Sequence, residues 1–191
     1  LFLASVTSVA LAIRYDSVAL AVIGIFGAFV APFVMGGFDQ GVGANAVVAV
    51  GPSGQFMTYV ITVDIGVLAL STLRNWRWLT LLALMGSLAS FGSWYGSYSD
   101  EIALLTAQSS LTIIFLIFVV ATTIFHVAWR RLPTAFDYSL MLINAVAYMA
   151  ISYGLLWDDY RVWMGGFTLL MSLFYGCLSY ATLLRTGEHV Y

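Results

Sequence analysis

The sequence predicts an all-α, polytopic transmembrane bundle of about seven helices arranged as repeated hairpins, and three observations carry that reading. Long apolar runs occupy residues 1–13, 18–35, 56–73, 78–98, 102–129, 138–157 and 162–184. Most approach or exceed the roughly 20 residues that a helix needs to cross a bilayer. The 191 residues are 62% hydrophobic and 8% charged, far from the roughly 25% charge of ordinary soluble domains. A soluble chain of this length would have to bury nearly every helix on all sides, which its small interior does not allow. The third observation is the placement of arginine. Arg14 follows the first run, Arg74 and Arg77 the third, Arg130 and Arg131 the fifth and Arg185 the seventh, with only Arg161 in a gap of opposite parity. The positive-inside rule then puts the N-terminus outside and the C-terminus in the cytoplasm. Asp39, Asp100, Glu101, Asp158 and Asp159 fall in the outer gaps, as this orientation expects.

The first run begins at Leu1 and is too short to span alone, so its helix is expected to start upstream and the chain to be a fragment or processed product of something larger. A cleaved signal peptide fits poorly, because its apolar core would have been removed. In the second run, Gly24, Gly27 and Pro32 mark a candidate helix break or kink. Residues 36–55, GGFDQGVGANAVVAVGPSGQ, read as a non-helical outer connection punctuated by glycines and Pro52.

The third run contains Asp64, the one acid deep inside a span. Ionised and facing lipid it would cost several kcal/mol, so it must face the bundle, take a partner or stay protonated. Val60, Ile61, Val67 and Leu68, its neighbours on the helix face, cannot help. The partner must come from another helix: Asn144 at mid-depth in the sixth run, Gln108, Tyr148 or the serines of the fourth run. Intramembrane acids are candidate proton or cation sites, and the plain alternative is an interhelical hydrogen bond that fixes packing.

The fourth and fifth runs repeat weakly in the sixth and seventh, over residues 76–130 and 134–187. Tyr95-Gly96 aligns with Tyr153-Gly154, and Asp100-Glu101 with Asp158-Asp159. The units are parallel, whereas many transporters carry inverted repeats. Trp76, Trp78, Trp94, Tyr95, Tyr98, Trp129, Trp157, Tyr160 and Trp163 lie near run ends, as headgroup-level anchors do. Small residues allow close helix contact at Gly92 and Gly96, along Ala4, Ser8 and Ala12, and at Gly165, Gly166 and Gly176. Cys177 stands alone, so no disulfide can form within the chain, and a buried side chain is expected there.

His126 and His189 do not lie at depths suited to two axial haem ligands, so a pigment or haem on His126 alone is a third-ranked reading. No zinc cluster, serine-hydrolase elbow or phosphate-binding glycine loop occurs. The formal net charge of −2 gives no footing for nucleic acid. The reading is therefore non-catalytic, with no cofactor or metal predicted. It is a single transmembrane domain over residues 1–191, serving as scaffold or accessory subunit of a larger assembly, with an energy-transducing complex as one candidate host. Its partners are the lipid bilayer and other transmembrane helices or subunits. The alternative is a transporter or channel component with Asp64 as proton or cation site and Asn144 as neighbour.

Two stretches carry a family resemblance. GIFGAFVAPFVM closes a Gly-rich span on a proline, and TYVITVDIGVLALSTLRNWRWLTLLALMGSLASFGSWY joins a Tyr-then-Asp helix, a basic turn with Trp and a helix ending in Trp. Over roughly residues 15–98 the chain resembles a family of large predicted bacterial membrane proteins, domain of unknown function 2339. The resemblance implies a long array of helical hairpins. It singles out Pro32, Tyr59, Asp64, Trp76 and Trp94, and it transfers no catalytic residue.

Overall fold

The structure is a computed structural model that describes residues 7, 11, 14–34, 52–73, 76–98, 103–129 and 134–186. Among the described residues six α-helices are bounded: α1 (Val18–Val34), α2 (Pro52–Leu73), α3 (Arg77–Tyr98), α4 (Leu104–Trp129), α5 (Ala135–Tyr160) and α6 (Met164–Thr186), with a 3₁₀ turn, Arg161–Trp163, between the last two. No strand occurs among the described residues. The first apolar run lies almost wholly outside them. Among the described residues two stretches are long and apolar enough to cross a membrane, Leu104–Thr123 and Ala135–Tyr180, and α1 and α2 contain the shorter apolar segments Val18–Phe33 and Phe56–Ser71.

Helix α2 starts earlier than the sequence predicts. Pro52 opens the helix instead of punctuating a loop. A proline fits the first helical position because its fixed φ suits a helix and the missing N–H has no intrahelical partner there. The rest of the connection lies outside the described residues.

The chain forms two compact units, Leu1–Phe118 and Val119–Tyr191, with the boundary inside α4. In the first, α2 buries Phe56, Met57, Val60, Val63, Asp64, Val67, Leu70 and Ser71. That three-and-four spacing is one continuous helix face. Facing it, α3 buries Leu79, Thr80, Ala83, Leu84, Ser87, Ser90, Phe91 and Trp94. Helices α1 and α2 run antiparallel, because Tyr59 meets Ala28 and the Phe33 and Phe56 rings meet edge to face at 5.9 Å. Helix α1 comes close to α3 at Gly86, where a Cβ would sit 2.8 Å from the Phe29 ring. Glycine is required there by space.

In the second unit, α6 folds back along α5. The Tyr148 and Phe167 rings lie 5.8 Å apart, whereas an unbroken helix would separate those positions by about 28 Å. Tyr160, at φ −125 and ψ 23, leaves helical geometry and starts the turn. The Arg161 guanidinium lies 4.8 Å over the Trp157 ring. At the other end of α5, Asp137 Oδ2 accepts hydrogen bonds from the Thr134 backbone N–H at 2.8 Å and the Thr134 hydroxyl at 2.7 Å. These bonds hold the helix start. Outward, α5 and α6 expose Leu142, Val146, Leu169, Leu170 and Leu173.

Candidate functional site

Asp64 sits in the middle of the buried face of α2 and is 1% exposed. The residues one turn away on that face, Val60 and Val67, are also buried and offer no polar atom. The partner comes from α3: Ser87 Oγ lies 2.5 Å from Asp64 Oδ1 and 2.9 Å from the Ala83 carbonyl oxygen one turn back along its own helix. Ser87 is itself fully buried, at 0% exposure. Asp64 Oδ2 is buried and has no hydrogen-bond partner among the described residues. Small side chains make the approach possible, since Ala83, Gly86, Ser87 and Ser90 lie close together on α3 and let the neighbouring helices come near.

A second polar joint lies close by. Pro32 has no N–H, so the Ala28 carbonyl four residues earlier loses its normal helical donor. The Tyr59 hydroxyl donates to that carbonyl at 2.8 Å. Tyr59 and Asp64 stand on α2 five residues apart, about 7.5 Å along the axis. The two bonds tie α2 to α1 on one side and to α3 on the other.

Asn144 is buried in the second unit, on the α5 face that also buries Asp137, Leu140, Tyr148 and Ser152. The hydrogen bond of Asp64 goes to Ser87. His126 lies within α4, with its side chain outside the described residues, and His189 lies outside them altogether. Helix α1 runs through Gly24 and Gly27 without interruption and ends two residues past Pro32. The freed carbonyl is met by Tyr59, so the proline opens no gap in the helix. Among the described residues no group of three or more His, Cys, Asp and Glu could hold a metal ion.

Three expectations are corrected. Trp94 is fully buried against Phe91, with ring centroids 5.8 Å apart, and belongs to the interior of the first unit, not to an interfacial belt. Trp78 and Trp163, at 70% and 75% exposed, do face outward. Gly92 and Gly96 meet nothing within 4 Å of a built Cβ, and the close approach is at Gly86 instead. Cys177 is exposed because it lies on the outward side of α6.

Compared with curated proteins and with solved structures, the chain matches none. The sequence model of one family, described as predicted membrane protein (DUF2339), matches residues 1–190. Because that match runs along almost its whole length, the chain belongs to that family of predicted membrane proteins.

Proposed function

We propose that the chain is a non-catalytic integral-membrane scaffold or accessory subunit of a larger assembly in the bacterial inner membrane. It crosses the bilayer several times as one membrane domain of hairpins, with the N-terminus outside and the C-terminus in the cytoplasm. The sealing of Asp64 carries this reading. A transport site needs a polar route to the carboxyl, whereas Asp64 is 1% exposed and its contact is a fully buried serine. A neutral or well-paired polar group inside a bundle acts as glue between helices. The outward apolar faces of α5 and α6 supply surface for lipid and for neighbouring helices.

The second reading, a transporter or channel component with Asp64 as proton or cation site, is favoured by one observation: Asp64 Oδ2 is buried without a partner among the described residues. The test is gentle purification of the full-length protein from its native membrane, with mass spectrometry of the intact assembly. Stoichiometric companion subunits, kept in the Asp64→Asn variant, support the scaffold. A solitary protein that moves protons across vesicle membranes, and stops doing so in Asp64→Asn, overturns it.

A further inference from the structure

Ser87 Oγ is in hydrogen-bond range of two oxygens at once, Asp64 Oδ1 and the Ala83 carbonyl. A serine hydroxyl owns one hydrogen, a carbonyl only accepts, and an ionised carboxylate only accepts. With Asp64 ionised, the two contacts must share the single hydroxyl hydrogen in a three-centre bond, and neither is then a full hydrogen bond. With a proton on Asp64, its O–H donates to Ser87 Oγ and the Ser87 hydroxyl donates to the Ala83 carbonyl, so each contact holds one hydrogen. We propose that Asp64 is a proton-binding site, filled in this packing, with Ser87 linking the carboxyl to the backbone of α3.

Among the described residues of the helices around Asp64, no charge offers another solution. Helix α1 contains no titratable residue. On α2 the other titratable group is Tyr59, whose hydroxyl is directed to the Ala28 carbonyl. On α3 these groups are Arg77, Tyr95 and Tyr98, at least about 12 Å along the axis from Ser87. The part of α4 in this unit, residues 104–118, has none. A metal cation fits poorly, because hard cations take about six oxygen ligands. Val60, Val63 and Val67 line the carboxyl's own helix face. The ligand is a proton. This inference does not depend on the scaffold reading, since a carboxyl that only joins helices and one that exchanges its proton can both hold a proton in this packing.

Infrared spectroscopy of the full chain in lipid membranes at neutral pH tests it. The parent protein shows a protonated-carboxyl C=O stretching band that disappears in Asp64→Asn and shifts in Ser87→Ala. Should the Asn variant fail to fold, carboxyl-¹³C aspartate labelling shows whether an aspartate carries the proton, and movement of that isotope-shifted band in Ser87→Ala assigns it to Asp64. Aspartates that are all ionised at neutral pH, in either measurement, overturn the proposal.

Discussion

The Tyr59 hydroxyl donates a 2.8 Å hydrogen bond to the Ala28 carbonyl, the oxygen that Pro32 leaves without its helical donor. A defect in one helix is thus closed by a side chain from the next. Tyr59→Phe leaves that carbonyl bare and is expected to destabilise the protein by about 1 kcal/mol. Pro32→Ala restores the N–H, so the same Tyr59→Phe change is expected to cost less in the Pro32→Ala background. A double-mutant cycle by reversible unfolding in lipid or detergent measures the difference, and equal costs in both backgrounds refute the pairing.

Gly86 admits the Phe29 ring at a distance that no Cβ tolerates. Gly86→Ala is expected to cost about 1–3 kcal/mol through overpacking. Phe29→Leu should recover part of that loss by shrinking the obstacle. Thermal unfolding of the two single variants and the double variant decides it, and an additive double variant rules out direct contact.

Asp137 accepts two hydrogen bonds from Thr134 at the start of α5. Asp137→Ala is expected to lower stability by about 1 kcal/mol and to speed amide hydrogen exchange in the first turn, residues 135–138. Unchanged exchange there would show that the cap contributes nothing.

Much of the fold is legible in the sequence because an apolar helix announces itself by composition. Apolar runs locate α1 to α6, and the helplessness of Val60 and Val67 beside Asp64 forces a partner from another helix. Which partner is not legible. Helix α3 carries serines at 87, 90, 93 and 97, and only the register of α2 against α3 selects Ser87. Trp94 shows the same limit: its place near the end of a run suits an interfacial anchor, and only its helix face, shared with Phe91, puts it inside. Gly86 has no pattern to flag it, while the more conspicuous Gly92 and Gly96 meet nothing. By contrast, Thr134 and Asp137 stand at capping-box spacing, a signal present in the sequence itself. Tyr59 and Pro32 join only through α-helical geometry, since the carbonyl that matters belongs to Ala28, a residue with no distinguishing chemistry.

If Asp64 is a neutral joint, an amide of the same shape replaces it. Asp64→Asn can donate to Ser87 as a protonated carboxyl does and is expected to change stability by less than about 1 kcal/mol. Asp64→Leu removes the donor to the Ser87 oxygen, leaves that hydroxyl only its bond to Ala83, and changes side-chain shape in a crowded interior, so it is expected to cost about 2–3 kcal/mol. Unfolding measurements on both variants check the ordering, and an Asn variant as damaged as the Leu variant contradicts it.

The most direct test of Asp64 as a closed joint is proton flux into lipid vesicles that hold the full-length protein, measured for the parent and for Asp64→Asn side by side. The account predicts no flux above protein-free vesicles for either protein. A flux in the parent that Asp64→Asn abolishes, with the variant still folded, would contradict it and make the carboxyl a transport site.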